Sequence, residues 1–322
     1  MVESTIAGIM ITFMYPMNWA LAFAAGSMMS AVSPAVVVPA CIRLQNAGYG
    51  TDKGINGIIM AAASLDDILA ISKFGIFLGF GLGGEGGHNT FGDDPMVNSI
   101  IHGPFEIIAG IILGFIIGQF LKTDCFTNIP YKYKAPIILC TALGLTFAWD
   151  QIGMAGLGYL ASITMASIGA TKWGKHEAEE VEGLISYVWL VIQVPLFGLI
   201  GSAVYFADLD WADVGIAIII ILASLVTRFP SAMYSMVGAN CNFKEKMFVA
   251  IAWMPKATVQ AALGGVVLGL ANDNDLGDEM VLAGERIIIL AFFSIVLTAP
   301  LGAILTAFFG TKLLTLGDKP EE

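Results

Sequence analysis

The chain has 322 residues, 57% hydrophobic and 13% charged, with a formal net charge of −11, whereas an ordinary soluble domain carries about 25% charged residues. With a mean hydropathy of +0.80, this excludes a soluble enzyme, a disordered chain and a nucleic-acid binder, whose polyanionic partner the acidic balance would repel. The cysteines Cys41, Cys125, Cys140 and Cys241 show no CxxC or Cys/His spacing, so neither a disulfide framework nor a zinc site is expected.

A membrane-spanning helix needs about 20 mostly apolar residues. Ten apolar segments follow one another, at 2–15, 18–45, 55–83, 97–121, 135–149, 152–170, 181–206, 212–238, 244–270 and 283–310. The first is short for a full span. No secretory signal pattern appears, and the chain opens inside hydrophobic sequence, as expected of one whose beginning lies further upstream. The second segment contains AAGSMMSAVSPAVVVPACIRLQ. A mid-helix proline removes a backbone hydrogen bond and clashes with the preceding turn, so Ser33 and Pro34 predict a break there. The third segment, with IIMAAASLDDILAISKF, carries Asp66 and Asp67 near its middle. In the fourth, Gly110, Gly114 and Gly118 recur at the spacing that lets two helix backbones approach. The acidic run from His176 to Glu182 reads as a solvated helix start. The eighth segment holds Arg228. The ninth, MFVAIAWMPKATVQAALGGVVLGL, repeats the interruption at Pro255, with Lys256 beside it.

The loops alternate in charge. Arg43 and Lys53, then Lys122, Lys132 and Lys134, then Lys172 and Lys175, then Lys244 and Lys246, then Lys312 and Lys319 fall on one side. The intervening loops carry Glu85, Asp93 and Asp94, then Asp150, then Asp208, Asp210 and Asp213, then Asp273, Asp275, Asp278 and Glu279. The positive-inside rule makes the basic loops and the C-terminus cytoplasmic.

Charges inside apolar segments carry the chemistry, because each costs at least about 2.5–3.5 kcal/mol at a helix centre. Asp66, Asp67, Arg228 and Lys256 stand out, with Glu3 near the start. Adjacent residues point about 100° apart on a helix, so one carboxylate can face a cavity and its neighbour another helix. Two carboxylates in a low-dielectric site cannot both ionise cheaply. Such a pair binds a proton or a cation, and competition between the two is the core of an antiporter. A buried structural ion pair is the plainer alternative. Arg228 stays charged and needs a permanent partner, whereas a buried lysine can lose its proton. Segments one to three and eight to ten are odd-numbered groups with an interrupted helix in corresponding places. Inverted halves of that kind point to a secondary transporter, the freed backbone groups lining its ion site. Lys73, two turns after Asp66, is expected to snorkel to the outer interface.

At these residues, MMSAVSPAVVVPACIRLQNAGYG, SLDDILAI, PLFGLIG and FKEKMFVAIAWMPKATVQAAL, the chain resembles the sodium/proton antiporters of the NHA branch of the cation:proton antiporter superfamily. The likeness runs from about Glu3 to Gly310. It implies an all-α multi-pass membrane protein with inverted three-helix repeats, crossed broken helices and scaffold helices. Residues 1–83 and 212–310 would be the two core repeats, 97–206 the scaffold and dimer helices, and 311–322 a cytoplasmic tail. It further implies that Asp66 and Asp67 bind Na⁺ or Li⁺ in exchange for protons, and that Ser33, Pro34, Pro255 and Lys256 belong to the site-lining breaks. Lys256 would face the Asp pair, and Glu3 would pair with Arg228. Family members carry further helices before the first core helix.

The expected function is a monovalent cation/proton antiporter working by alternating access, embedded in a lipid bilayer as a homodimer. No nucleic acid, organic cofactor or enzymatic chemistry is expected; the only ligands are the transported Na⁺ or Li⁺ and H⁺. The alternative is a truncated, non-transporting isoform that pairs with a full-length antiporter and regulates it. An intramembrane aspartyl protease fits poorly, since its two aspartates sit on different helices. A channel would lack saturable exchange coupled to a proton gradient.

Overall fold

The computed structural model describes residues 1–81, 95–152, 154–202, 209–273 and 275–317. Glu85, Asp93, Asp94 and Asp208 of the acidic loops, Lys319 of the basic set and the end of the tail lie outside them. The helices are α1 (Val2–Met14), α2 (Trp19–Ser30), α3 (Pro34–Asn46), α4 (Ile55–Gly81), α5 (Pro95–Leu121), α6 (Asp124–Thr127), α7 (Tyr131–Asp150), α8 (Ala155–Ala170), α9 (Lys175–Ser202), α10 (Trp211–Ser235), α11 (Phe243–Ala252), α12 (Thr258–Leu263), α13 (Val266–Asp273) and α14 (Asp278–Leu313). Among the described residues, Trp19–Asn46, Ile55–Gly81, Trp211–Ser235 and Asp278–Leu313 are long and apolar enough to cross a membrane. Val2–Met14, Phe105–Leu121 and Leu157–Ala170 are shorter apolar helices.

The chain forms two compact units, one of Met1–Gly81 with Ile200–Glu322, the other of Leu82–Leu199. The first unit repeats one pattern twice: a helix, an interrupted helix and a long helix (α1, α2–α3, α4; then α10, α11–α12–α13, α14). The interruptions have local causes. Pro34 cannot donate to the preceding turn but suits the first position of a new helix, so α2 ends at Ser30 and α3 begins at Pro34. Pro255 likewise separates α11 from α12. A further interruption, which the apolar pattern conceals, falls at Gly264 and Gly265 between α12 and α13.

Lipid is as apolar as leucine, so helices associate there through close packing of small residues rather than hydrophobic burial. The enclosed helix α2 is accordingly rich in Ala20, Ala22, Ala24, Ala25, Gly26 and Ser27, all buried. A Cβ on Gly26 would meet Gly8 N and Ser4 O of α1, both at 2.6 Å; glycine is what lets the two backbones touch. Around α2, the buried Ile220 and Ile221 of α10 and Ile287 and Leu290 of α14 complete the core. Helix starts are capped by Asn18 (from Ala20 N), Asp210 (from Ala212 N) and a capping box of Asn242 and Glu245.

In the second unit α5 packs on α8. A Cβ on Gly110, Gly114 or Gly118 would meet Leu157 O at 3.0 Å, Ala161 O at 2.5 Å and Ile168 Cβ at 2.7 Å, so this glycine stripe is the packing surface that its spacing predicts. Lys134 is not a loop residue: it lies on α7, wholly buried, bonded to Glu177 and Thr127 O and facing the rings of Phe126 and Trp173. The cysteines are all free.

Candidate functional site

Helix α2 stops in the protein interior, which leaves its last carbonyls without intrahelical partners and gathers the negative end of its dipole. Ser30 Oγ turns back to Ser27 O, and side chains from the second repeat reach the carbonyls from Met28 to Ala31. Gln260 Nε2 donates to Met28 O (2.7 Å) and Ala31 O (3.1 Å), Lys256 Nζ donates to Met29 O, and an Arg228 Nη donates to Ser30 O (2.7 Å). The two breaks also meet directly, since Ser33 N donates to Pro255 O at 2.8 Å.

The long helix of each repeat caps the break beside it. Asp66 Oδ2 of α4 accepts from Val32 N at 3.1 Å, just before Ser33, the N-cap of α3. Thr298 Oγ1 of α14 accepts from Lys256 N at 2.9 Å, just before Ala257, the N-cap of α12. A carboxylate occupies the first position and a neutral hydroxyl the second.

Glu3 of α1 receives two cations: its carboxylate is paired with Arg228 and, at 2.5 Å, with Lys256 Nζ. Glu3, Arg228 and Lys256 are 5%, 4% and 0% exposed, so the attraction among them acts in a low dielectric. Arg228 also reaches Asp66 Oδ2 at 3.4 Å. Lys256, expected to face the Asp pair, directs its ammonium to Glu3 and to the carbonyl end of α2, where the dipole and a full charge both favour a cation. Lys73 does not snorkel outward; its ammonium donates to Ser4 Oγ at 3.0 Å, on the turn of α1 that carries Glu3.

Asp66 borders a cavity of about 330 Å³ that also touches Glu3, Arg228, Ile59 and Ala62 of α4 and Trp253 beyond α11. Its neighbour Asp67 has Oδ1 buried without a hydrogen-bond partner among the described residues, as does Ser33 Oγ. The adjacent carboxylates therefore have different surroundings, one beside the cavity and the Arg228 guanidinium, the other with an oxygen left free to accept a proton or ligate a cation. Among the described residues, no group of three or more His, Cys, Asp or Glu is arranged to hold a metal ion.

Gln260 and Thr298 complete this arrangement and were not singled out in the sequence. Gln260 had a signal, being a primary amide five residues after Pro255 in an otherwise apolar run. Thr298 had none, because threonines that bond the preceding turn are common in apolar helices.

The sodium/hydrogen exchanger transmembrane family model matches residues 1–312. The chain is 35% identical over 315 residues to sodium/hydrogen exchanger 9B1 of Homo sapiens, covering 98% of this chain and 59% of that protein. It is 33% identical over 316 residues to sodium/hydrogen exchanger 9B2 of Pongo abelii, covering 97% of this chain and 57% of that protein. The chain thus spans less than two thirds of the length of these relatives. Its fold matches that of the sodium proton antiporter MjNhaP1 from Methanocaldococcus jannaschii at pH 8, with a TM-score of 0.68 at 17% identity over 98% of this chain and 76% of that one. Two interrupted helices meeting at buried charges, the shared antiporter fold and a family model covering nearly every residue lead to one conclusion: this integral membrane protein belongs to the sodium/hydrogen exchanger family.

Proposed function

We propose that the chain exchanges Na⁺ or Li⁺ for protons across a membrane by alternating access, with cation and proton competing for Asp66 and Asp67. The observation that carries this reading is the pair itself: Asp66 borders the cavity and caps the first break, while Asp67 keeps a buried oxygen without a partner. Two neighbouring carboxylates in a low dielectric favour neutralisation of one of them, and a proton or a monovalent cation serves equally well. The other charges compensate one another, Glu3 holding Arg228 and Lys256, so that the exchangeable charge is confined to the Asp pair. No cofactor enters the cycle.

The cavity touches the N-terminal half of α4 and the C-terminal end of α10, including Ile58 and Ser235. These ends adjoin the basic residues Lys53, Lys244 and Lys246. With those loops and the C-terminus read as cytoplasmic, the arrangement corresponds to a site open to the cytoplasm. We read the protein as a homodimer. No arrangement among the described residues favours the alternative of a non-transporting regulatory isoform.

The test is proton flux driven by Na⁺ or Li⁺ gradients in liposomes holding the purified chain. Asp66→Asn and Asp67→Asn should each abolish or greatly reduce exchange, since an intramembrane carboxylate is retained for its function, while membrane insertion persists. Near-normal exchange by the double variant would place the ion site elsewhere.

A further inference from the structure

At the basic end of the first unit lies a second buried acid, outside the exchange site. Glu245, in the first turn of α11, is fully buried at the side chain, while its partner Lys53, in the turn between α3 and α4, is 33% exposed. The Glu245 carboxylate accepts from Lys53 Nζ at 2.8 and 3.1 Å, from Asn242 N at 2.7 Å and from Thr315 Oγ1 at 3.1 Å. A capping box needs only one of those bonds. The other donors come from two separate parts of the chain.

The segment after α14 is strapped to the same turn. Gly50 N donates to Thr315 O and Gly317 N to Gly48 O, each at 2.8 Å, and Tyr49 and Leu316 form an isolated antiparallel bridge. Asn56, at the start of α4, holds the turn through Tyr49 O at 2.7 Å. One carboxylate therefore joins the start of α4, the start of α11 and the end of α14.

Two of these helices wall the cavity. Ile58, Ile59 and Ala62 of α4 line it, as do Val249 of α11 and Trp253 just beyond. At about 1.5 Å per residue, the staple lies about 12 Å along each wall from Ala62 and Trp253. It sits at the foot of both walls.

We propose that the Glu245–Lys53 ion pair, strapped by Thr315, sets the spacing of α4 and α11 where they flank the cavity leading to Asp66, and that Glu245 is a positioning residue for cation entry. The proposal rests on the exchange function proposed above, but its structural half can be tested without flux.

The experiment uses Ala62→Cys as a probe inside the cavity, with Cys125, Cys140 and Cys241 replaced by serine and the buried Cys41 retained. The rate of labelling by a small water-soluble thiol reagent is measured with and without Glu245→Gln and Lys53→Met. Glutamine preserves the capping bond and removes the charge. Each change should alter the labelling rate at least about fivefold, the low end of coupling between linked sites. The double variant should go no further than the larger single one, because both remove the same interaction. Arg286→Met, which breaks the ion pair with Asp213 near the opposite end of α14, should leave the rate unchanged.

In liposomes the half-saturating Na⁺ concentration should shift with the labelling rate while maximal flux stays within about twofold, since access rather than the site has changed. Parental labelling rates in both variants, or an equal change from Arg286→Met, would overturn the proposal. So would a labelling change with no shift in half-saturation. A parent that labels normally but carries no exchange would count against the exchange reading, and labelling would still decide the staple. If Glu245→Gln fails to fold, Lys53→Met, altered at the more exposed partner, decides alone.

Discussion

Glu3→Gln is the most informative single change in the buried charge network, because Glu3 holds two cations, Arg228 and Lys256. Removing it leaves Arg228 with Ser30 O and the longer contact to Asp66, and leaves Lys256 with Met29 O. Removing one partner of a buried ion pair typically costs about 3–5 kcal/mol, and because Lys256 loses its carboxylate while Arg228 keeps only the longer contact to Asp66, Glu3→Gln falls at the upper end of that range. At about 2 °C per kcal/mol for a chain of this size, the melting temperature in detergent should fall by about 10 °C. Arg228→Gln and Lys256→Gln should each cost less, since Glu3 keeps the other cation. The compensating doubles separate the roles further. Glu3→Gln with Lys256→Gln leaves Arg228 beside Asp66, still paired, and should recover most of the loss. Glu3→Gln with Arg228→Gln leaves Lys256 with Met29 O and no carboxylate, and α2 loses the donor to Ser30 O; it should recover less. The family resemblance suggested Glu3 with Arg228 as the compensating pair, and the position of Lys256 reverses that order. Melting curves of the three singles and two doubles test this. A Glu3→Gln variant no less stable than either cation variant, or better recovery by the Arg228 double, would refute the reasoning.

Gly114→Ala places a methyl against Ala161 O and should cost about 1–3 kcal/mol by overpacking, whereas Gly144→Ala, with nothing within 4 Å, should be neutral or slightly stabilising; thermal melts compare the two. Bonding to Glu245 raises the pKa of Lys53 above its ordinary value, so its stabilisation is complete below the usual lysine pKa and is lost as pH rises through the higher folded value. The melting-temperature gap between the parent and Lys53→Met should therefore persist at neutral pH and close only in alkali beyond about 10.4; a gap that closes near neutrality would contradict this. The hydrogen bond from Lys172 lowers the pKa of Asp124, but the pair is exposed, so Lys172→Ala should leave the melting temperature nearly unchanged. Gln260→Leu strips the donor from Met28 O and Ala31 O and should slow exchange and lower stability together; normal flux with normal melting would show that those carbonyls need no partner.

Composition, proline positions and intramembrane charges were enough to determine the membrane class, the repeated interrupted helix and the residues at its centre. Each follows from a local rule: Pro34 and Pro255 cannot continue a helix, and Asp66, Asp67, Arg228 and Lys256 are too costly in lipid to be incidental. The glycine stripe of α5 was legible for the same reason, because close approach requires the absence of a side chain at every fourth residue. What tertiary structure alone decided is who meets whom. Lys256 stands beside a break in the sequence, yet its ammonium is drawn 253 residues away to Glu3 by the carbonyl end of a helix whose location only the fold supplies. Lys53 reads as an ordinary loop charge until the α3–α4 turn, the start of α11 with Glu245 and the end of α14 are brought to one point. Lys134 passed for a solvated loop residue because nothing local announces Glu177, Phe126 and Trp173 around it. Helix breaks and misplaced charges are properties of short stretches of chain, whereas the partner of a buried charge depends on long-range packing, and no local pattern encodes it.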